Sequence, residues 1–397
     1  MSKIQDVVVL SATRTAVGRF GGSLKDVPLE RLGAAVMKEA CARAGVDPAQ
    51  VPSAVMGNVL RTKSKDTYIA RMAALEAGMA IESHAVTVNR LCGSGLEAIV
   101  NAAQQIQLGE SDLAVAGGVE AMSQSTFSSS APRFGSRMGG IQLEDDMLAA
   151  LNDPFGAGHM GMTAENLSEQ HDIDRSFQDT FAAESHRRAV NAIEQGYFKE
   201  QITPIEVKTR KGIIAFDTDE HARADVSVES LGKLPAAFKR DGGTVTAGNA
   251  SGLNDGASAV VLASADWAAA NDKQPMARLI SYARAGVDPS IMGIGPVPAV
   301  KLALQRADLS VEDMDVIESN EAFAAQACAV SKALNFPAEK TNPNGGAIAL
   351  GHPVGATGSI ITTKCLYELR RIGGRYGLVT LCIGGGQGIA AVFERIE

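Results

Sequence analysis

Two cysteines, a histidine and an asparagine stand where nucleophilic chemistry is possible. Cys92 lies in NRLCGSGLEAIV, at a predicted strand-to-helix junction. Gly93 and Gly95 permit a tight turn, and the following helix aims its N-terminal amides at the junction. That field favours a thiolate, and the same amides can hold an oxyanion. The position also suits a small buried cysteine without reactivity; the Gly-Ser-Gly context tilts the reading towards chemistry. His352 lies in NGGAIALGHPVGATG, again before a predicted helix. A neutral imidazole there can take a thiol proton. A structural histidine and a phosphate-cradling loop are the alternatives for such a turn, but neither a Walker Gly-Lys-Ser/Thr nor a GxGxxG spacing occurs at His352. Cys382 ends a predicted strand just before IGGGQG. It suits the edge of a site, or a packed strand position. Asn320, in ESNEAFAAQ, sits at a strand end before a helix. It can cap that helix, or hold a water or a carbonyl oxygen.

These residues need a scaffold that brings distant strand ends together. The first 120 residues alternate strand and helix signals. Val7 to Leu10 reads as a buried strand and Leu29 to Ala44 as an amphipathic helix. Strands follow at Val55 to Val59 and Ala85 to Leu91, a helix at Leu96 to Leu108, and a strand at Leu113 to Ala116. This alternation predicts an α/β sheet covered on both faces. The last 125 residues repeat the order. Ala277 to Ala285 matches the opening VVVLSATRTA, Gly355 to Arg371 matches the helix after Cys92, and Leu378 to Ile383 matches the strand ending at Gly117-Gly118. We read a duplicated core of two similar halves, 1–120 plus 251–274 and 275–397. Residues 121–250 form an inserted loop domain of different composition, with a helix at Ser176 to Gln195.

Composition narrows the function classes. A net charge of −8 and only 5% aromatics disfavour a nucleic-acid partner. Five scattered cysteines with no CxxC pair exclude zinc-ribbon and thioredoxin-type sites and predict reduced thiols, hence a cytoplasmic location. No uninterrupted apolar stretch reaches 18 residues, so no membrane span and no membrane partner is expected. No metal-ligand spacing is present. Cys41, Cys328 and Cys365 fall on helical stretches and read as core. His84, His171, His186 and His221 lie in polar runs and read as exposed.

Two thiols, an imidazole and an amide at strand ends suit acyl transfer through a thioester. The carbanion chemistry of thioesters needs a positioned base and a fixed oxyanion donor. NRLCGSGLEAI, NEAFA, GGAIALGHPVGATG and CIGGGQG, in that order, resemble the four active-site motifs of the thiolase family, and the resemblance covers essentially the whole chain. It implies a five-layered α-β-α-β-α fold. It implies that Cys92 is the acylated nucleophile, His352 its base, and Asn320 the holder of a water in one oxyanion hole. Cys382 would be the general acid and base, and the amides of Cys92 and Gly384 a second oxyanion hole. Substrates would be acetyl-CoA, 3-oxoacyl-CoA and CoA, with no further cofactor and no metal. Carried across by position, Leu151, His159, Met160, Arg223, Ser230, Ala237, Phe238, Ala247, Ser251, Ala322 and Phe323 would line the CoA path. A homotetramer, as a dimer of dimers, is also implied. Relatives commonly read KLRPAF where this chain has Lys233-Leu234-Pro235-Ala236-Ala237-Phe238, which leaves the polar contacts of that wall open. Three rival readings stand beside it: a condensing enzyme acting on carrier-protein thioesters, against which Cys382 speaks; a non-catalytic CoA-ester binder, which has no need of all three of Cys92, His352 and Cys382; and a hydride-transfer Rossmann enzyme, disfavoured by the absent dinucleotide fingerprint.

Overall fold

The computed structural model describes residues 5–210 and 212–396. Nine strands build the main sheet. They are β1 Val7–Arg14, β2 Ser53–Gly57, β3 His84–Val88, β4 Leu113–Ala121, β5 Asn254–Ser264, β6 Ala277–Gly286, β7 Val316–Ser319, β8 Tyr376–Ile383 and β9 Gln387–Arg395. Their order is β7-β8-β9-β6-β1-β5-β4-β2-β3. A two-residue strand, Gly18–Arg19, pairs with the start of β5.

The order is two copies of one pattern meeting at a seam. There β1 and β6 pair antiparallel through Val8–Arg278 and Val9–Ala277. In each half the last strand lies between the first and the last but one and runs antiparallel to both: β5 between β1 and β4, β9 between β6 and β8. The next strand outward is parallel, β2 beside β4 and β7 beside β8. Even the irregularities repeat. β1 shifts register between Val9 and Ser11, and β6 between Leu279 and Ser281. Each serine then reaches the first helix of its own half: Ser11 Oγ donates to Ala40 O at 2.6 Å, Ser281 Oγ to Ala303 O at 2.7 Å. One step of the repeat has decayed. The counterpart of β3 is only a parallel bridge between Ile317 and Thr341.

The sheet folds over a shared helix pair. The Leu29–Ala44 helix covers the outer face of the first half, where Leu32, Val36, Met37 and Cys41 meet Leu10, Val115 and Val261. The Ser94–Gln107 and Thr357–Ile372 helices lie between the halves. Their Leu96, Ile99, Cys365 and Leu369 share one core with Val260 of β5 and Leu381 and Phe393 of β8 and β9. The Pro296–Ala307 and Ala324–Leu334 helices cover the far face, with Val300, Leu304 and Val330 against Leu378 and Val392. The result is five layers, α-β-α-β-α. Helices on both faces explain why β1 and β5 are buried along their whole length instead of alternating between core and solvent.

Residues 122–253 contribute no strand to this sheet and carry short hairpins, the Met160–Gln170 helix and the Arg175–Glu194 helix. Asp174 caps the latter, accepting from Phe177 N at 2.7 Å. A buried bidentate pair, Arg14 with Asp219 at 2.7 and 2.9 Å, fastens the segment to β1. Several features depart from the sequence reading: the run before His352 is a helical turn, Ala347–Leu350, and not a strand, and His171 and His221 are half-buried, not exposed. β9 was not anticipated, because its apolar run follows directly on the glycines after Cys382. His186 is buried, not exposed; its Nδ1 accepts from Arg223 N at 3.2 Å. Among the described residues no helix is long and apolar enough to cross a membrane.

Candidate active site

The Cys92 turn is built by its neighbours. Leu91 adopts φ +45°, a left-handed conformation that non-glycine residues rarely take. Local bonds hold it there: Leu91 N donates to Asn89 Oδ1 at 3.0 Å, and Ser94 Oγ donates to Leu91 O at 2.6 Å while accepting from Arg90 N at 2.8 Å. Glycine is required beside it. A Cβ on Gly93 would stand 2.6 Å from Ile383 Cδ1, and one on Gly95 2.7 Å from Ser359 N. The helix start thus lies directly against the end of β8 and the Thr357–Ile372 helix.

The thiol is not pre-ionised. Burial pushes the Cys92 thiol up to about 11, and the Glu120 carboxyl adds a smaller push. The N–H groups of Gly384 and of Cys92 itself act on the sulfur in the opposite direction. This corrects the expectation that the helix field alone would favour a thiolate: desolvation of the anion outweighs it.

His352 is set for proton transfer. Its Nδ1 lies 2.6 Å from Thr357 Oγ1, and that hydroxyl donates onward to Pro353 O at 2.9 Å. The hydroxyl's one proton is therefore spent, so its oxygen accepts from Nδ1–H and leaves Nε2 as the bare nitrogen. Asn320 Nδ2 faces Nε2 at 3.4 Å, and Asn320 Oδ1 has no protein partner although the residue is buried. Asn254 Oδ1 holds the backbone by accepting from His352 N at 2.9 Å. Burial pulls the imidazole down to about 4, so it is neutral at rest. Cys382 is wholly buried at the end of β8, and both burial and the nearby Cys92 sulfur keep its thiol protonated.

Cys92, His352 and Gly384 open on one cavity of about 380 Å³. Of the residues carried across for CoA, the wall contains Leu151, His159, Met160, Ala237, Phe238, Ala247, Ser251, Ala322 and Phe323. Phe238 stacks on the His159 ring with centroids 4.6 Å apart and meets Phe323 edge-on at 6.2 Å. Its face also explains a glycine, because a Cβ on Gly161 would stand 2.2 Å from that ring. Arg223 and Ser230 are not in this wall. Arg223 is exposed, paired with Asp225, and borders a second depression of about 350 Å³ with Arg19 and His221. Leu253 lines both spaces, so the two adjoin. Ser230 is exposed and closes a reciprocal cap with Ser227.

Sequence reasoning missed the opposite wall, where Val59, Leu60, Met122, Met147, Leu253 and Val354 surround Cys92. It also missed Glu120 behind that wall. Glu120 is fully buried and accepts from Asn58 Nδ2, Val59 N and Leu60 N at 3.1 Å and from Gly355 N at 2.8 Å. Its one sequence signal is a lone carboxylate directly after the apolar run LAVAGGV. A second buried set stands behind Asn320. Lys364 Nζ bridges Glu318 at 2.8 Å and Gly345 O at 2.7 Å, and Glu321 accepts from Ser185 and Asn342. Among the described residues no cluster of His, Cys, Asp or Glu is placed to hold a metal.

Known proteins share this arrangement from end to end. The family model for the thiolase N-terminal domain matches residues 7–266, and that for the thiolase C-terminal domain matches residues 273–395. The β-ketothiolase BktB of Cupriavidus necator is 58% identical over 99% of this chain and 100% of its own. The acetyl-CoA acetyltransferase of Pseudomonas aeruginosa is 50% identical over 99% of this chain and 100% of its own. The crystal structure of human mitochondrial 3-ketoacyl-CoA thiolase superposes with a TM-score of 0.97 at 47% identity, each chain covered completely. With two domain models in tandem and relatives this similar along the full length, the chain belongs to the thiolase family and is an acyltransferase.

Proposed function

We propose that Cys92 carries the acyl group in a reversible thiolase reaction, with His352, Asn320, Cys382 and Gly384 as its partners. In thiolysis, Cys92 Sγ attacks the C3 carbonyl of a 3-oxoacyl-CoA and its proton passes to His352 Nε2. The C3 oxyanion lies under the amides of Cys92 and Gly384, and the enolate oxygen that develops on the acetyl-CoA thioester as C2–C3 breaks lies between the new Nε2–H and a water held by Asn320. The C2–C3 bond then breaks, and Cys382 protonates the acetyl-CoA carbanion. Cys382, now a thiolate, takes the proton of an incoming CoA thiol. The CoA sulfur attacks the acyl-Cys92 thioester under the amides of Cys92 and Gly384, and His352 returns its proton to the leaving thiolate. Condensation of acetyl-CoA with an acyl-CoA is the same path reversed. Every step moves a proton between groups of this chain and its substrates, so no further cofactor and no metal is needed.

The observation that carries this reading is the neutral His352 with a bare Nε2 opening on the same cavity as the protonated Cys92. The His159, Met160, Phe238, Ala247, Ala322 and Phe323 wall suits a thin pantetheine arm. Arg223 borders the adjoining depression, which would take the phosphate and adenine end of CoA; Ser230, outside both spaces, is assigned to CoA by the family resemblance alone. We assign 1–120 with 251–274 and 275–397 as the two halves, and 121–250 as the loop domain that meets CoA. A homotetramer, as a dimer of dimers, is supported by two surfaces. One is the sheet edge at β3, with Ile81 and Val86 exposed; the other is the 121–145 loop, with Phe134 and Met138 more than nine-tenths exposed. A cytoplasmic location is supported by five free cysteines.

The test is acetoacetyl-CoA thiolysis by the wild type and Cys92→Ala, followed by mass spectrometry of enzyme quenched with substrate. An acyl adduct on Cys92 and loss of turnover in the variant are expected. Wild-type turnover in Cys92→Ala would sink the assignment. A panel of 3-oxoacyl-CoAs of increasing length then sets the chain-length range.

A further inference from the structure

The buried Glu120 has no role in the proton transfers above, yet its surroundings are specific. Both oxygens face donors only: Asn58 Nδ2 and Leu60 N on Oε1, Val59 N and Gly355 N on Oε2. No acceptor stands ready for a carboxylic proton, so the four donors favour the ionised form, but none of them is cationic, and burial together with the nearby Asp255 pushes the carboxyl up to about 8. The donors come from two segments that meet nowhere else in sequence. Val59 and Leu60 follow β2 and line the cavity beside Cys92; Gly355 follows His352 and Val354. Glycines let these segments approach. A Cβ on Gly118 would stand 2.2 Å from Gly355 O, one on Gly57 2.6 Å from Ser94 C, and one on Gly355 2.6 Å from Glu120 Oε2. The turn after His352, the helix start after Cys92 and the strand end carrying Glu120 therefore interlock.

We propose that Glu120 is a positioning residue for acyl transfer: its carboxylate pins the turn that carries His352 to the wall behind Cys92, holding imidazole and thiol in register. This rests on the thiolase reading of the same site. The titratable groups that face Glu120 are Cys92 at the helix start and Asp255 on β5. Asp255 is itself buried, accepts from Ser123 N at 2.9 Å and has its other oxygen unpartnered. Because the Cys92 thiol is pushed still higher, to about 11, Glu120 is ionised over the range in which that thiol titrates, a negative charge without a counter-cation, and its removal should ease the thiol's ionisation while spoiling the alignment.

The test uses the full chain with Glu120→Gln and Glu120→Asp. The glutamine amide would turn an N–H towards N–H donors, whereas aspartate keeps the charge but shortens the reach. Two quantities are read: kcat and KM for acetoacetyl-CoA thiolysis, and the pH dependence of Cys92 alkylation by iodoacetamide. Misalignment by about an ångström costs on the order of 10²-fold, so Glu120→Gln should lower kcat by about that factor and move KM far less. Its alkylation midpoint should shift to lower pH. Glu120→Asp should recover part of kcat and keep the midpoint of the wild type. Unchanged kcat in Glu120→Gln overturns the proposal. So does a lower kcat with an unshifted midpoint, which would mark a merely structural role. If Glu120→Gln fails to fold by circular dichroism, the kcat of Glu120→Asp decides, and a wild-type value there overturns the proposal. A wild type inactive on every 3-oxoacyl-CoA would instead refute the thiolase reading itself.

Discussion

His352 Nδ1 and Thr357 Oγ1 lie 2.6 Å apart within one turn of chain. Because the same hydroxyl donates to Pro353 O at 2.9 Å, this single contact decides the histidine tautomer. It does so without a carboxylate, so the imidazole gains no negative partner that would raise its pKa. A base held by a hydroxyl is weak at rest and returns its proton readily, as a reversible acyl transfer needs.

Removing that hydroxyl should be costly. In Thr357→Val, Nδ1–H loses its acceptor and the wrong tautomer becomes accessible. Positioned general bases contribute about 10²–10⁴-fold, so a fall in kcat of about 10²-fold is expected. Thr357→Ser keeps the hydroxyl and should stay within a few-fold of the wild type by about the same reasoning. Steady-state thiolysis rates of the two variants make the comparison, and equal rates would remove Thr357 from the scheme.

The pH response follows from buried imidazoles. Burial lowers both His352 and His186 from the ordinary 6.5 to about 4. Between those values the unfolded chain binds protons that the folded chain does not. The share of stability that comes from these two histidines should therefore be complete above pH 6.5 and fall as pH drops towards 4, while the buried carboxyls of Glu120 and Glu318, pushed up by burial to about 8 and about 7, act in the opposite direction. The loss between pH 7 and pH 5 is on the order of 1 kcal/mol per histidine. Urea midpoints at the two pH values, compared between the wild type and His186→Gln, check this: on going from pH 7 to pH 5 the variant should lose less stability, or gain more, than the wild type. The same shift predicts that kcat/KM in the free enzyme shows no ionisation near pH 6.5.

Close backbone approach gives a third prediction. A Cβ at Gly118 would stand 2.2 Å from Gly355 O and 2.7 Å from Ala356 Cα, whereas one at Gly140 would meet nothing within 4 Å. Overpacking of this kind costs about 1–3 kcal/mol. Gly118→Ala should lower the urea midpoint and the thiolysis rate together, because it displaces the turn after His352. Gly140→Ala should change neither. An unchanged midpoint in Gly118→Ala would mean the turn relaxes freely.

Cys92 and Cys382 were legible because each sits where a change of period and neighbouring glycines mark a strand end; Asn320 follows β7 with no glycine beside it, and His352 lies among glycines after a short helical turn, Ala347–Leu350, where a strand was expected. The duplication was legible for a similar reason: LSATR and ISYAR place Ser11 and Ser281 at equivalent points of bulged strands. What stayed hidden depends on contacts distant in sequence. Glu120 looks like an ordinary polar residue until Asn58 and Gly355, 62 and 235 positions away, close round it. His186 sits in the charged run AAESHRRAV and gave no sign of burial, because Arg223 covers it from 37 positions away. The helix amides beside Cys92 were visible in sequence, but the desolvation that outweighs them was not, since it comes from the whole cavity wall.

The division of labour between the two thiols gives the last prediction. Cys382 is wholly buried and protonated, while Cys92 is half-buried and opens on the cavity. If Cys92 alone takes the acyl group, Cys382→Ala should still be acylated, though more slowly, since His352 suffices for attack on the thioester and CoA can leave as a thiolate that takes its proton from solvent. The next step needs a proton donor for the carbanion in thiolysis, or a base for the second acetyl-CoA in condensation. Loss of a general acid–base group lowers the rate by about 10²–10⁴-fold, so turnover should fall by that order while the acyl-enzyme accumulates. Intact-mass measurement after mixing Cys382→Ala with acetyl-CoA should show one acetyl group, and peptide mapping should place it on Cys92. An acetyl group absent from Cys92 in this variant, with full acylation in the wild type, would mean that Cys382 acts before the acyl transfer and that the assigned order of steps is wrong.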